Sequence, residues 1–342
     1  MKIQLSHNFN EIICLENLLA AWKEFEKGKK QKKDVQEFSL RLMDNIFSLH
    51  NDLLNHTYKH GGYQAFKIND PKPRDIHKAS VCDRLLHHTI YRKLYPFFDK
   101  TFIADSYSCR NDKGTHKAID KFRSYFQKVS QNNTRICWIL KCDIRKFFAN
   151  IDHRILLSIL AEYISDKNIL NLLKNIIESF TTKNKTAVGL PLGNLTSQLF
   201  VNIYMNKFDK FVKHKLKAKY YIRYADDFVF LSEDKNILEK QIPIIEKFLS
   251  EELKLKLHPG KVSIKTLSSG VDFLGMVNFF NYRILRTKTK RRILKKLSLK
   301  HKMYLEELVS GESINQSVQS YLGVLKHCHG YGVAREIEGM II

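Results

Sequence analysis

The stretch Lys219–Ser232, with the sequence KYYIRYADDFVFLS, places two adjacent carboxylates between two apolar runs. Both runs are rich in β-branched and aromatic residues, which is typical of short strands. The pattern predicts a tight hairpin with Asp226 and Asp227 at its tip. Adjacent carboxylates repel each other unless a cation neutralises them, which favours a divalent metal site with oxygen ligands. An Asp-Asp turn is also common in ordinary loops, so the rest of the chain has to decide between the two.

The composition indicates a globular protein with a polyanionic partner. Hydrophobic residues make up 44% of the 342 residues, and 58 Lys+Arg against 35 Asp+Glu give a formal net charge of +23. A surplus of this size favours nucleic acid as the partner. No apolar run reaches the length of a membrane span, and acidic residues interrupt the N-terminal apolar positions, unlike in a signal peptide. The six scattered cysteines contain no CxxC pair, so we expect a protein of the reducing cytoplasm. The lack of a membrane-length apolar run predicts that the membrane is not a partner.

Another carboxylate follows an apolar run further upstream. Residues 136–142, ICWILKC, predict a strand that ends at Asp143. A carboxylate at the end of a buried strand is costly unless it is paired or used. Asp152 differs, because it precedes a run with helical periodicity and is predicted to cap that helix. Asp143 is therefore the better candidate for a functional carboxylate.

A glycine-punctuated turn lies between these two regions. Residues 189–198, GLPLGNLTSQ, precede a long stretch whose apolar residues have helical spacing. A glycine turn that leads into a helix N-terminus allows the backbone to approach a ligand closely. One such turn is weak evidence by itself.

The remaining pattern is mostly helical. Apolar spacing predicts helices over residues 11–27, 34–56, 81–98, 115–129, 168–180 and 236–252, a strand over 253–257 and two helices within 312–342. A hairpin over residues 63–76, turning at 70–73, carries Lys67 and Arg74 and is either a basic flap over phosphates or a solvated loop. The polar loop over 105–117 and the basic helix from residue 286 suit phosphate contact through these side chains: Arg110, Lys113, Lys117, Lys288, Lys290, Arg291, Arg292 and Lys295.

The order of these features resembles the palm of a reverse transcriptase. Residues 224–227, YADD, look like the YxDD box of that family, and residues 140–153, LKCDIRKFFANIDH, look like its first catalytic motif. The resemblance runs from about residue 60 to about residue 340. It implies an α+β fold shaped as a polymerase right hand, whose palm is an antiparallel sheet with helices. The implied regions are an N-terminal helical extension (1–60), fingers (61–135), palm (136–285) and a helical thumb (286–342).

The resemblance also implies an enzyme, an RNA-directed DNA polymerase that works by phosphoryl transfer with two Mg²⁺ ions, or Mn²⁺ in their place. The metal ligands would be Asp143, Asp226 and Asp227, and Lys261 resembles the lysine that protonates the leaving pyrophosphate. Template RNA, nascent cDNA and dNTPs would be its partners. The residues implied to bind the nucleotide are Lys67, Arg74, Phe148, Leu192, Gly193 and Gln198, with Phe148 under the sugar, and Phe273 and Gly275 resemble the primer grip.

One departure from the usual family pattern narrows the resemblance. Most reverse transcriptases carry a QGxxxSP pattern, whereas residues 192–198 here read LGNLTSQ. This form is similar to the enzymes of diversity-generating retroelements, which copy a template repeat with frequent errors and work with a small accessory protein. The resemblance leaves the oligomeric state open. An active site without the Gln amide loses a hydrogen bond that helps to fix the nucleotide, so low fidelity is a physical expectation.

Three alternatives remain at the level of sequence. The first is a phage-defence reverse transcriptase of the same palm lineage, and the second is a catalytically inactive polymerase fold that binds nucleic acid. The third is an RNA-dependent RNA polymerase, against which the bulky Phe148 argues.

Overall fold

The computed structural model describes residues 3–69, 73–183 and 185–340, and the architecture is the predicted α+β type. The helices are α1 (Phe9–Ile13), α2 (Leu15–Phe25), α3 (Lys33–Leu40), α4 (Leu42–Leu54), α5 (Val81–Asp99), α6 (Thr115–Val129), α7 (His153–Ala161), α8 (Lys167–Glu178), α9 (Leu195–His214), α10 (Lys235–Glu252), α11 (Thr287–Leu305), α12 (Gly311–Leu325) and α13 (Tyr331–Glu338). The strands are β1 (Tyr63–Ile68), β2 (Arg74–Ala79), β3 (Trp138–Asp143), β4 (Tyr221–Tyr224), β5 (Asp227–Ser232), β6 (Ser263–Thr266), β7 (Val271–Phe273), β8 (Met276–Asn278) and β9 (Arg283–Leu285).

A four-stranded antiparallel sheet with the order β4-β5-β3-β6 lies at the centre of the molecule. Strand β5 is buried on both faces, because its side chains alternate between two cores. Phe228 and Phe230 join the core that contains α9 and α10 residues, whereas Val229 and Leu231 join the core that contains α6 residues. This double burial explains why the strand is an almost continuous apolar run.

The N-terminal helices share the larger of these cores. Trp22 and Phe25 of α2 belong to the same buried cluster as the residues behind the sheet. The Asn17 side chain donates to the Thr89 carbonyl at 3.1 Å, which joins α2 to α5. The extension is therefore packed against the rest of the molecule, and its boundary at residue 60 stays a prediction.

The C-terminal helices form a third, separate core. Helices α11, α12 and α13 bury Ile293, Ile314 and Ile337 among themselves. The rings of His116 in α6 and His327, which follows α12, stack on each other and join this unit to α6. Arg283 of the preceding strand β9 also contacts α6, with its Nη2 atom 2.7 Å from Asp120 Oδ1. The assignment of residues 286–342 as a thumb stays a prediction.

The structure confirms most predicted elements and corrects three. The predicted helix over 11–27 is two helices that meet at Cys14, whose ψ of 150° breaks the helical backbone. The predicted helix over 34–56 is likewise interrupted, at Arg41. The predicted strand over 253–257 is wrong, because Leu257 alone in this segment makes a β-bridge, with Ile144. The hairpin over 63–76 is confirmed, although residues 70–72 of its turn lie outside the described residues.

Across the described ranges, every helix is too short or too polar to traverse a lipid bilayer.

Candidate active site

The predicted carboxylates meet at one end of the central sheet. Asp143 is the last residue of β3 and lies opposite Asp227, the first residue of β5, in the strand register. Residues 225–226 form the turn between β4 and β5. This turn is tight because Ala225 has a φ of +55°, in the left-handed region. The Ile144 amide donates to the Asp226 carbonyl at 3.2 Å, which ties this turn to the end of β3. The hairpin thus brings all three aspartates to one place, as the sequence predicted.

The electrostatics of this place show a shortage of positive charge. Asp143 is buried, with 6% of its surface exposed. Burial and then the nearby Asp143 charge raise the pKa of Asp226 above its ordinary value. Burial likewise raises the pKa of Asp227, to about 6, with the Asp226 and Asp143 charges adding to the effect against Lys141. Mutual repulsion of this kind is relieved when a cation binds between the carboxylates.

Besides Lys141, two further basic side chains act on the carboxylates. Lys261 ends a short 3₁₀ helix over Pro259–Lys261. Its Nζ atom lies 2.6 Å from Asp143 Oδ2. The positive charges of Lys261 and Arg74 both act to lower the pKa of Asp226, against the larger effects of burial and Asp143. Lys67, in contrast, is exposed on β1 and pairs in register with Asp75. Arg74 and Lys261 are therefore close enough to influence this site electrostatically.

The donor set of this site fits divalent cations. Carboxylate oxygens on a rigid sheet are the ligands that Mg²⁺ prefers. Within the part of the chain that the structure describes, no group of three or more His, Cys, Asp or Glu side chains forms a ready-made metal cage. The Lys261 ammonium group occupies one Asp143 oxygen. A metal at this place would have to compete with that ammonium group.

The glycine turn packs against the hairpin of β1 and β2. The His77 amide of β2 donates to the Leu192 carbonyl at 3.0 Å. Gly193 has a φ of +107°, and a Cβ atom there would lie 2.9 Å from the Ile76 Cγ2 atom. Glycine is thus required both by the backbone and by the neighbouring strand. Gln198 is half-buried in the first turns of α9.

Phe148 lies close to the glycine turn that precedes α9. It begins a short 3₁₀ helix over Phe148–Asn150, and its carbonyl accepts from the Leu190 amide at 2.8 Å. Its ring packs edge-on against Phe147, with ring centroids 5.6 Å apart. Phe148 is half-buried. The segment that carries Phe148 is therefore tied to the segment that leads into the glycine turn.

The structure assigns the polar loop a mainly structural role, which corrects part of the prediction. The Arg110 side chain is 6% exposed, pairs with Asp99 at 2.7 Å and also donates to the carbonyls of Ile103 and Ser106. A guanidinium group with these internal acceptors has little left to offer a phosphate. Lys113 and Lys117 likewise donate to loop carbonyls, at 2.9 Å and 2.7 Å.

The predicted primer grip is also only partly accessible. The Phe273 side chain is fully buried and contacts Phe122 with ring centroids 5.4 Å apart, so it belongs to the core. Gly275 turns the β7–β8 hairpin with a φ of +89°, and nothing lies within 4 Å of the position that its Cβ would take. The open backbone at Gly275, and not the Phe273 ring, is what this hairpin can present to a ligand.

The basic helix α11 presents part of its charge to solvent. Lys288, Arg291 and Lys295 are exposed, whereas Lys290 pairs with Glu336 at 3.0 Å and Arg292 is half-buried. The exposed residues recur at intervals of three and four, which places them on one side of the helix. This face is the predicted nucleic-acid contact of the thumb.

The sequence analysis missed a buried ion pair beside the β4–β5 hairpin that carries Asp226. Arg223 of β4 and Asp209 of α9 are both fully buried, and the Arg223 Nη2 atom lies 2.7 Å from Asp209 Oδ2. An arginine inside the apolar run YYIRY was the available signal, because a charged residue in a buried strand needs a partner. The partner could not be identified from the sequence, since it comes from a different element.

The fold and the site together define a polymerase palm, an antiparallel sheet with paired carboxylates at the ends of neighbouring strands. A family model described as reverse transcriptase (RNA-dependent DNA polymerase) matches residues 67–278. The chain therefore belongs to the reverse transcriptase family, as its motifs predicted.

Three curated relatives illustrate the range of the family. Protein YkfC of Escherichia coli is 24% identical over 296 residues, which cover 73% of this chain and 74% of that protein. The group II intron-encoded protein LtrA of Lactococcus lactis subsp. cremoris is 23% identical over 66% of this chain and 47% of its own length. The putative COX1/OXI3 intron 2 protein of Saccharomyces cerevisiae is 23% identical over 63% of this chain and 30% of its own length. The chain thus spans less than half of the latter two proteins.

Solved structures with the same fold include telomerases. Telomerase from Candida albicans, in complex with a TWJ fragment of telomeric RNA, has a TM-score of 0.51 and 14% identity, covering 83% of this chain and 55% of that one. Apo telomerase from Candida tropicalis, truncated from the C-terminal domain, has a TM-score of 0.50 with 15% identity over 71% of this chain. The predicted right-hand polymerase fold is confirmed by this likeness.

Proposed function

We propose that this chain is an RNA-directed DNA polymerase that copies a template RNA into cDNA. The observation that carries the proposal is the register pair of Asp143 and Asp227, with Asp226 in the adjoining turn and the Lys261 Nζ atom 2.6 Å from Asp143. Membership of the reverse transcriptase family supports the same conclusion. Carboxylates, a nearby ammonium group and a basic flap are the parts that phosphoryl transfer needs for positioning and charge stabilisation.

Each residue near the sheet end has a role in this proposal. Asp143, Asp226 and Asp227 would hold two Mg²⁺ ions, which supply charge stabilisation for the attacking and leaving oxygens when bound. Lys261 donates a proton toward the leaving pyrophosphate once its ammonium group has left Asp143. Arg74 binds the triphosphate from the β1–β2 hairpin, and Lys67 of the same hairpin adds a second, exposed positive charge. Phe148 excludes a 2′-hydroxyl by its volume.

The test is primer extension on a defined RNA template. Asp226→Asn preserves the size of the side chain but removes a charge that the cations require, so DNA synthesis is expected to fall to background. Circular dichroism and RNA binding by the same variant serve as controls and are expected to match wild type. Extension by Asp226→Asn at the wild-type rate would refute the proposed site.

We further propose that the enzyme belongs to a diversity-generating retroelement and copies its template with low fidelity. The LGNLTSQ sequence at residues 192–198 supports this assignment. Because the Leu192 carbonyl is held by the His77 amide, a change of side chain at this position leaves the backbone contact intact. A small accessory protein is the expected partner.

The fidelity proposal is tested by Leu192→Gln, with cDNA from wild type and variant sequenced on one template. One regained hydrogen bond is worth about 0.5–1.5 kcal/mol, so misincorporation is expected to fall roughly threefold to tenfold. The fall should be largest opposite template adenines. Identical error spectra would remove Leu192 from nucleotide selection and weaken the retroelement assignment.

A second candidate is an enzyme that serves a group II intron, favoured by the relative named group II intron-encoded protein LtrA. The two candidates differ in their template. An intron-linked enzyme should bind a structured intron RNA in preference to a short template repeat. Competition between these two RNAs for the purified protein distinguishes them.

A further inference from the structure

The buried pair of Arg223 and Asp209 lies directly beside the turn that carries Asp226. Arg223 Nε donates to both Asp209 oxygens, at 2.8 Å and 3.0 Å, and Nη2 donates to Asp209 Oδ2 at 2.7 Å. Tyr221 of the same strand also donates to Asp209, at 2.8 Å. The Asp209 carboxylate therefore accepts hydrogen bonds from three donor groups, namely Arg223 Nε, Arg223 Nη2 and the Tyr221 hydroxyl.

A guanidinium group has five N–H donors, and every one of them has an acceptor here. Beyond Asp209, Nη2 donates to Ser106 Oγ at 3.1 Å and Nη1 donates to Asn202 Oδ1 at 3.2 Å. The last donor, also on Nη1, reaches the Ala225 carbonyl at 3.2 Å. The side chain thus connects α9, the loop before α6 and the catalytic turn.

The contact with Ala225 sets it apart from an ordinary structural ion pair. The Ala225 carbonyl belongs to the peptide group that leads into Asp226, and Ala225 has a φ of +55°. An L-residue with a side chain adopts this conformation only when its surroundings impose it. On the far side of the same turn, the Asp226 carbonyl is held by the Ile144 amide. One peptide group on each side of the Asp226 Cα atom is therefore fixed.

We propose that Arg223 is a positioning residue that fixes the orientation of Asp226, with Asp209 as the buried anchor of its guanidinium group. The inference rests on the proposed function, because Asp226 matters as a metal ligand. Arg223 acts through the Ala225 carbonyl and does not itself contact substrate. Groups that hydrogen-bond a metal ligand typically change metal affinity or activity by roughly 10–100-fold when they are removed. We expect an effect of this order for Arg223, because it holds the peptide group that leads into Asp226.

The first test is Arg223→Lys, which keeps a positive charge beside Asp209 but cannot bond to Asp209 and Ala225 together. Mn²⁺ binding to the free protein, followed by electron paramagnetic resonance, reads out the site without any turnover. Binding is expected to weaken roughly 10–100-fold. In primer extension, kcat should fall and the Mn²⁺ requirement should rise, with little change in KM for dNTP.

The matched control is Arg84→Lys on α5. Arg84 is also mostly buried, with 17% of its side chain exposed, and it forms an ion pair with Asp34 away from the carboxylates. Loss of stability alone would affect both variants in the same way. The control is expected to bind Mn²⁺ like wild type, whatever its melting temperature.

A second variant covers the case in which Arg223→Lys fails to fold. The triple change Arg223→Met, Asp209→Leu and Tyr221→Phe replaces the buried network by apolar side chains, which is often neutral or stabilising. This variant should fold, yet bind Mn²⁺ as weakly as Arg223→Lys. Wild-type Mn²⁺ affinity in either folded variant would overturn the proposal. Failure of both variants to fold would also overturn it, because the pair would then be needed for the fold itself.

The experiment separates this proposal from the proposed function. Wild-type protein that binds Mn²⁺ but extends no primer would contradict the polymerase assignment and leave the positioning result readable. Wild-type polymerase activity with unchanged metal affinity in the folded variants would reject the positioning role alone.

Discussion

Asp227 illustrates how one residue couples the stability of the protein to pH. Burial and the neighbouring carboxylates raise its pKa from 3.8 to about 6 in the folded protein. The folded state therefore binds the Asp227 proton more tightly than the unfolded state does. By linkage, this residue makes the protein less stable as pH rises from about 4 to about 6, with no further change above that range. The largest effect that this shift allows is about 3 kcal/mol.

This linkage predicts the behaviour of Asp227→Asn. The variant should be more stable than wild type at pH 7.5, whereas the two should differ little at pH 4, where wild-type Asp227 is protonated. Urea unfolding at both pH values measures the difference. Asp112→Asn is the control for the chemical change itself, because Asp112 is exposed and has a φ of +56° that asparagine also tolerates. A gain for Asp227→Asn that does not depend on pH would contradict the assigned cause.

At the scale of elements, the sequence predicted what local patterns encode. The hairpin around Asp226, the cap at Asp152 and the long helix α9 follow from alternation, capping chemistry and helical spacing, and the structure has all three. The break at Cys14 was missed because α1 and α2 bury their apolar faces in the same core, so the spacing continues across one extended residue. In the segment 253–257, alternation correctly indicated buried leucines at every second position. It could not show that pairing with the neighbouring chain is limited to a single bridge, between Leu257 and Ile144.

The residues of the candidate site also differ in whether a local sequence pattern or a contact with a distant element determines their role. The three aspartates stand in recognisable motifs, and the structure brings them to one end of the central sheet, whereas their role as metal ligands stays a prediction. Arg110 was assigned to nucleic acid from its place in a polar loop, and Phe273 from the likeness of its segment to a primer grip. Their actual contacts, with Asp99 and Phe122, depend on helices distant in sequence. Residue type gives the chemistry that a side chain can perform. Its partners decide whether that chemistry is available.

The contact between the glycine turn and β2 leads to a prediction about Gly193→Ala. The added Cβ would lie 2.9 Å from Ile76, and the φ of +107° disfavours any side chain. Both effects should push β2 away from the turn, weaken the His77–Leu192 hydrogen bond and raise KM for dNTP. Backbone strain alone costs about 1–3 kcal/mol, and the contact with Ile76 should add to it.

The matched control for this change is Gly28→Ala. Gly28 also has a positive φ, of +70°, but nothing lies within 4 Å of its Cβ position. Unfolding free energies of the two variants separate strain from steric contact. An equal loss in both would mean that β2 adapts without cost.

At the scale of the whole molecule, the net charge of +23 has to be placed on a surface. The sequence determines the total charge but not which basic side chains can contact a ligand, because some of them form ion pairs with acidic side chains of the protein. On α11, Lys290 is paired while Lys288 and Arg291 are exposed. Affinity for an RNA–DNA duplex should therefore fall steeply with salt, as counterion release requires.

The contribution of α11 to this charge can be measured directly. Each phosphate contact adds roughly 0.9 to the slope of log affinity against log salt, so Lys288→Ala with Arg291→Ala should reduce the slope by about 2. Lys240→Ala with Lys247→Ala is the control, since both residues are exposed on α10 and carry the same total charge. Equal slopes for the two double variants would show that α11 makes no special contact with the duplex.

The register of β3 and β5 has a consequence for the gene. Asp227 must face Asp143, while Phe228 and Val229 must point into different cores. Loss of a single codon within β5 would move every later side chain to the opposite face. Either Asp227 would no longer lie opposite Asp143, or the positions of Phe228 and Val229 would be exchanged between the two close-packed cores. This segment can therefore change by substitution during evolution, but it cannot change in length.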